Sequence, residues 1–141
     1  MPALKVRRFD EADRDAVIAL WGRCDLVRPW NDPDRDIDRK LAAGADGFLV
    51  GAIGSSVVAT VMAGYDGHRG WVNYLAVDPE HRSAGHGATI MEAAENHLRA
   101  AGCPKVNLQI RTSNVDAMAF YESIGYTLDD VISMGRRLID D

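Results

Sequence analysis

The chain has 141 residues, of which 47% are hydrophobic and 26% are charged, and its formal net charge is −5. This size and composition predict a single globular domain, and the excess of acidic residues disfavours nucleic acid as a partner. No apolar run approaches the ~20 residues that span a bilayer, so no membrane association is expected. Two separate cysteines, Cys24 and Cys103, predict a cytoplasmic protein, and the scattered histidines predict no metal site.

Apolar periodicity divides the chain into alternating strands and helices. Strands are predicted at 4–9, 48–53, 56–65, 71–77 and 105–110, with one or two more between Tyr126 and Leu138. Helices are predicted from an Asp cap at 10 or 13 to about 24–26, at 34–42, from Gly87 to about 101, and at 114–124. The dipeptide Gly54-Ser55 between two apolar strands predicts a tight hairpin. The pattern is that of an α/β domain.

The most informative stretch follows the strand that ends at Leu75-Ala76-Val77. A proline turn leads to Arg82-Ser83-Ala84-Gly85-His86-Gly87-Ala88, where the next helix begins. Backbone amides at a helix start, with glycines that allow close approach, form a site for phosphate oxygens. A P-loop would need Gly-Lys-Ser/Thr at Gly87, and a dinucleotide fingerprint would need glycine at Ile90. The spacing therefore predicts phosphate binding but neither an NTPase nor a Rossmann dehydrogenase.

This glycine turn and a second stretch together resemble the GNAT superfamily of N-acetyltransferases. The family's cofactor motif, Val-x-Pro followed by Arg/Gln-x-x-Gly-x-Gly/Ala, is matched from Val77 to Gly87. Its second motif, Asn-x-x-Ala-x-x-Phe-Tyr-Glu-x-x-Gly-Phe, is matched from Asn114 to Gly125, with Tyr126 in the last place. Arg-Pro-Trp-Asn-Asp-Pro and Gly-Tyr-Asp-Gly-His-Arg-Gly further look like the YpeA type of bacterial acetyltransferase.

The resemblance covers nearly the whole chain and implies one GNAT-like domain at 1–141. The implied fold is α/β, with a mixed, mostly antiparallel central sheet of six to seven strands flanked by about four helices. A pair of central strands is expected to splay apart and admit the pantetheine arm of the cofactor. Many relatives form dimers, so the resemblance is compatible with a homodimer, and the sequence leaves the oligomeric state open.

The implied function is transfer of an acetyl group from acetyl-CoA to a primary amine of a small molecule, protein or peptide, by direct attack on the thioester. No metal takes part. Tyr121 matches the family tyrosine that acts as general acid near the sulfur. On its residue pattern alone it would be a core aromatic. The cofactor residues that the resemblance implies are Leu75, Ala76, Val77, Arg82, Ser83, Ala84, Gly85, His86, Gly87, Ala88, Asn114 and Tyr121.

The general base and the acceptor site are left open by the sequence. Gln109 lies twelve residues before Tyr121, where the ribosomal-protein-alanine acetyltransferases carry a glutamate, and an amide cannot take up a proton. The alternatives for the base are Asp32, Asp66, His68 or a water relay.

The acceptor is expected near two polar, aromatic loops that contain Trp30, Asp32, Tyr65 and Asp66. A different class of function, a non-catalytic acyl-CoA-binding or regulatory domain with the same fold, also fits the motifs. The retention of both Asn114 and Tyr121 favours catalysis.

Overall fold

The computed structural model describes residues 3–141. The chain forms two compact units, one ending at Leu108 and the other running from Gln109 to Asp141. The first unit contains strands β1 (Lys5–Arg8), β2 (Phe48–Ile53), β3 (Ser56–Tyr65), β4 (Gly70–Val77) and β5 (Val106–Leu108), with helices α1 (Arg14–Arg23), α2 (Pro33–Gly44) and α3 (His86–Ala100). The second unit contains one helix, α4 (Val115–Ser123).

The first unit is organised around a five-stranded mixed sheet whose strands lie in chain order, β1-β2-β3-β4-β5. The first four are antiparallel to their neighbours, and β5 runs parallel to β4. The hairpin predicted at Gly54-Ser55 is present, with Ile53 paired to Ser56. The connection from β4 to β5 contains α3, as a parallel neighbour requires a crossover.

The sheet is covered on both faces. Residues Val57 to Ala63 of β3 are all buried, and alternate residues of a strand point to opposite faces. The core cluster that α1 and α2 share with the sheet contains Val17, Leu20, Trp21, Ile37, Phe48, Val50, Val57, Met62 and Ala76. Helix α3 buries a separate stripe, which consists of Ile90, Met91, Ala94 and Leu98. The central strands are thus held rigidly between helices, which fixes the backbone positions at the end of β4.

The α/β class, the mixed sheet and the four helices are confirmed, but the predicted count of six to seven strands is wrong. Residues 126–141 contain no strand, and β5 is shorter than the predicted 105–110. Apolar residues at 128, 132, 134 and 138 would lie on one face of a strand, but Asp130 and Arg136 fall on the same face and interrupt it. The apolar side chains are exposed instead, Leu128 to 91% and Met134 to 92%.

Gly47, just before β2, occupies a place that no side chain can enter. A Cβ on this residue would lie 1.9 Å from the carbonyl oxygen of Ala63 and 3.2 Å from His97 Nε2. We expect Gly47→Ala to lower the free energy of unfolding by about 1–3 kcal/mol or more, because the clash is with backbone. Gly22→Ala is the control. It has no atom within 4 Å and lies inside α1, where alanine adds ~0.5–1 kcal/mol. Urea denaturation should show a lower free energy of unfolding for Gly47→Ala and a higher one for Gly22→Ala than for the unaltered protein. Equal stabilities of the two variants would contradict this.

Candidate active site

On its β5 side, the last part of β4 has no strand partner among residues 3–141, and we call this side its free edge. Parallel pairing with β5 covers Gly70 to Val72 and stops at the pair Val72–Leu108, whereas β4 continues to Val77. On its other side β4 remains paired with β3 as far as Val77, opposite Ala59. Leu75 to Val77, the residues implied to pair with pantetheine, therefore lie in a strand that is fixed on one side and extends past the last β5 pair on the other.

The turn after β4 is fixed by the carboxylate of Asp78. Its Oδ1 accepts from Glu80 N at 3.0 Å, and its Oδ2 forms an ion pair with Arg23 Nη2 at 2.8 Å. The backbone hydrogen bond with Glu80 and the guanidinium of Arg23 hold the pKa of Asp78 below its ordinary value, against the opposing effect of burial. This tie joins the last turn of α1 to the chain that leads into the glycine turn, so the glycine turn is positioned by the core.

The glycine turn leads into α3 through two residues with left-handed backbone. Gly85, the N-cap, has φ +82°, and Ser83 has φ +67°, a conformation that is uncommon for a residue with a Cβ. A Cβ added to Gly85 would meet no atom within 4 Å. The space beside Gly85 is therefore open, as an approaching ligand requires.

Helix α3 leaves the positive end of its dipole uncompensated by acidic side chains. Among the four α-helices of residues 3–141, it alone has no acidic residue in its first turn. Its N-cap is a glycine, which has no side chain to accept from the first N–H groups. Those N–H groups and the partial charge of about +0.5 at a helix start favour an anion. The structure thus places an anion-attracting helix start directly after the free edge of β4.

Arg82 is an exposed cation at the start of this turn. Its Nε donates to Val77 O at 3.1 Å, and the thiol of Cys24 donates to the same carbonyl at 3.3 Å. Burial is the main cause that raises the pKa of Cys24, which keeps the thiol neutral. The guanidinium is therefore oriented by a backbone carbonyl rather than neutralised by a carboxylate.

In the second unit, Asn114 and Tyr121 lie at the two ends of α4. Asn114 is the N-cap, and its Oδ1 accepts from Ala117 N at 3.0 Å, which leaves the NH₂ group as its donor. Tyr121 is buried, with edge contacts to the rings of Phe120 at 5.2 Å and Tyr126 at 5.7 Å. Burial raises the pKa of Tyr121 to about 12, so the hydroxyl is protonated throughout the neutral range.

The sequence predicted that Gln109 would lie within a strand at 105–110. In the structure Gln109 lies just beyond the end of β5. Its side-chain NH₂ donates to the hydroxyl of Ser133, another residue of the second unit. Neither group titrates near neutral pH, so this position supplies no base.

The four predicted acceptor residues come from two connections of the first unit. Trp30 is 46% exposed between α1 and α2, and Asp32 caps α2 by accepting from Asp34 N and Arg35 N. Tyr65 and Asp66 lie at the end of β3, where Asp66 Oδ1 accepts from the backbone N–H groups of residues 68 and 69. These backbone bonds lower the pKa of Asp66 and make it a weak base. His68, the third named alternative for the base, is an exposed residue of the same turn.

Residues 3–141 contain no group of three His, Cys, Asp or Glu side chains placed to hold a metal ion. Of the helices they form, none is long and apolar enough to cross a membrane.

Comparison with known proteins assigns the family. The model of the Acetyltransferase (GNAT) family matches residues 13–126, which include the free edge of β4, the glycine turn and α4. This chain belongs to the GNAT family. An acetyltransferase of Pectobacterium atrosepticum is 46% identical over 138 residues, which cover 98% of each chain. The comparisons thus support an enzyme, an acetyltransferase, over the non-catalytic alternative.

Solved structures of other proteins share the fold. Ard1 from Thermoplasma volcanium superposes with a TM-score of 0.76 at 22% identity, covering 90% of this chain and 84% of its own. Glucosamine-6-phosphate N-acetyltransferase from Arabidopsis thaliana gives a TM-score of 0.71 at 24% identity, covering 97% and 99%. GNAT proteins use acetyl-CoA, and the cofactor's phosphates suit the anion-attracting helix start described above.

The structure also reveals polar contacts that the sequence did not signal. Tyr74 has φ +53°, and its hydroxyl donates to Asp36 Oδ2 at 2.6 Å. Trp21 Nε1 donates to Thr60 Oγ1 at 2.9 Å, and that hydroxyl donates to Tyr74 O at 2.9 Å. The one available signal was Thr60, a polar residue within the apolar strand β3.

Proposed function

We propose that this protein transfers the acetyl group of acetyl-CoA to a primary amine by direct attack on the thioester, as a member of the YpeA type. The observation that carries the proposal is the adjacency of the extended β4 edge to the glycine turn and the start of α3, within a chain of the GNAT family. The edge suits the amide-rich pantetheine arm, and the helix start suits the diphosphate.

In this proposal the donor is held mainly by backbone. The N–H groups from Ser83 to Ala88 bind the diphosphate, and Arg82 supplies a nearby positive charge. Leu75, Ala76 and Val77 pair with pantetheine in the manner of an added strand. A backbone N–H near Leu75 or Ala76 polarises the thioester carbonyl. Asn114 donates to the pantetheine through its NH₂ group, and Tyr121 donates to the sulfur.

The chemistry favours acceptors with a low pKa. A lysine side chain, with a pKa of about 10.4, is only ~0.1% neutral at pH 7.4, a deficit of roughly 4 kcal/mol. An α-amine with a pKa of about 7.8 is ~30% neutral, a deficit of less than about 1 kcal/mol. The proposed acceptor is therefore an amine of low pKa, bound between the α1–α2 connection and the β3–β4 turn.

The test is release of free CoA from acetyl-CoA with a panel of amines and peptides. We expect turnover with at least one amine of low pKa, and mass spectrometry should find the acetyl group on its nitrogen. Tight binding of acetyl-CoA without turnover on any amine would contradict the proposal. Acetylation confined to hydroxyl groups would contradict the amine assignment alone.

A further inference from the structure

We propose that Tyr74 and Asp36 form the relay that removes the proton from the acceptor's ammonium group, a proposal that rests on the proposed amine acetyltransferase function. The hydroxyl of Tyr74 lies 2.6 Å from Asp36 Oδ2, within the range of charge-assisted O–H···O⁻ bonds. The two residues are 38 positions apart in the chain and come together between β4 and α2.

The backbone of Tyr74 is built into an irregular part of the sheet. Between the pairs Met62–Asn73 and Thr60–Ala76, two residues of β4 lie opposite the single residue Val61. Such a bulge redirects side chains and is frequent beside active sites. At φ +53° an aromatic residue is strained, by roughly 1–3 kcal/mol, and strain of this kind persists only where the surroundings impose it.

Tyr74 is held in this conformation at three points. Its ring stacks on the indole of Trp21 with centroids 3.9 Å apart, and its carbonyl accepts from the hydroxyl of Thr60. Its hydroxyl is held by Asp36. The bond to a carboxylate gives the hydroxyl an acceptor to which its proton can pass.

Tyr74 and Asp36 are neighbours in the chain of the proposed thioester site and the proposed acceptor site, respectively. Tyr74 directly precedes Leu75, where the thioester carbonyl is proposed to bind. Asp36 lies one helical turn after Asp32, the N-cap of α2 and a proposed acceptor residue. The side chain of Asp36 is 20% exposed, so an acceptor can approach the pair from solvent.

Two of the other candidates for the base are held by backbone groups. Asp32 and Asp66 each accept two backbone N–H groups, and Gln109 does not titrate. The charged group that contacts Asp36 is Arg39, whose Nη1 lies 3.3 Å from Oδ1, and α1 and β3 present the uncharged Trp21 and Thr60 to Tyr74. Lys40, the next residue of α2, donates to Ala63 O.

The transfer is balanced. One ammonium proton moves to Tyr74 Oη while the phenolic proton moves to Asp36 Oδ2, which leaves a neutral amine and a neutral carboxylic acid. The amine then attacks the carbonyl carbon, the C–N bond forms, the C–S bond breaks and the sulfur leaves with the electron pair. The second N–H proton neutralises the thiolate, and Asp36 returns its proton to solvent.

The experiment compares Asp36→Asn and Tyr74→Phe with the unaltered protein, using the best amine from the panel, across pH. Both substitutions preserve shape, and Tyr74→Phe keeps the ring stack and the carbonyl bond. At about pH 6, where an amine with a pKa of about 7.8 is only ~2% neutral, we expect kcat/KM to fall about 30-fold in each variant. Because an already neutral amine needs no relay, the deficit should shrink at least tenfold as the pH approaches that of the amine's own pKa. The double variant should be no slower than either single one.

Asp38→Asn is the matched control, since Asp38 lies on the same helix and is ion-paired with Arg14 at 2.7 Å. It should retain the rate of the unaltered protein at every pH. A deficit in Asp36→Asn and Tyr74→Phe that is constant with pH, or no deficit at all, would overturn the relay while leaving the amine acetyltransferase function intact. Absence of amine acetylation by the unaltered protein would instead overturn that function, and the relay with it.

Discussion

Tyr121→Phe is expected to lower kcat by about 10²-fold or more, because the variant loses the hydroxyl proposed to stabilise the leaving sulfur. The edge contacts to Phe120 and Tyr126 involve the rings, so they persist in the variant. The affinity for acetyl-CoA, measured by calorimetry, should be nearly unchanged. A large fall in kcat without a loss of affinity would separate a role in chemistry from a role in packing.

The raised pKa of Tyr121 adds a pH test. With a pKa of about 12, the hydroxyl is a weaker acid than a thiol, whose ordinary pKa is about 8.5. In the proposed mechanism Tyr121 therefore acts as a hydrogen-bond donor to the sulfur, and the thiol proton comes in the end from the amine. Because the protonated form persists above the ordinary pKa of tyrosine, the rate should show no loss from Tyr121 ionisation up to about pH 10.

Tyr126→Phe is the control for this prediction. It removes a hydroxyl from the ring that contacts Tyr121, and the family's second motif has phenylalanine at this position. We expect its kcat to equal that of the unaltered protein. Equal losses in Tyr126→Phe and Tyr121→Phe, or full activity of Tyr121→Phe, would remove Tyr121 from the chemistry.

Gly85→Ala is expected to raise the dissociation constant of acetyl-CoA at least about tenfold, or ~1.4 kcal/mol. In the protein alone a Cβ at this position meets no atom within 4 Å, so a steric loss of affinity can come only from the ligand. The left-handed φ of +82° should also lower the free energy of unfolding by about 1–2 kcal/mol.

Gly102→Ala separates these two effects. Gly102, which follows α3, has φ +84° and likewise no atom within 4 Å of an added Cβ. Both variants should lose similar thermal stability, but only Gly85→Ala should lose affinity. Equal dissociation constants would show that the diphosphate does not approach Gly85.

The parts of the site that the sequence predicted depend on local patterns. The glycine turn, the start of α3 and helix α4 are each encoded within a few residues, because turns and apolar periodicity are short-range properties. The helices, the hairpin and most of the sheet follow for the same reason. Acetyl-CoA as donor came from the family motifs.

The parts that the sequence did not predict depend on distant contacts. Nothing in the strand around Tyr74 signals a left-handed φ, and its partner Asp36 lies 38 positions away. Trp21 and Thr60, 39 positions apart, were apparent only as an apolar helix residue and a strand residue. The pairing of β5 with β4 ends at Leu108. Where it ends likewise depends on contacts between strands that are distant in the chain, which the residues of β5 alone do not indicate.

The agreement between strand order in the sheet and strand order in the chain has a consequence for how the protein folds. Strands β2, β3 and β4 form a meander within residues 48–77, joined by two short turns. Short loops cost little closure entropy, so these pairings can form early and fast. Strand β5 must wait for α3 to cross over before it can add in parallel. During synthesis, the strand that is proposed to pair with pantetheine can therefore be in place before the ribosome has completed the crossover that follows it.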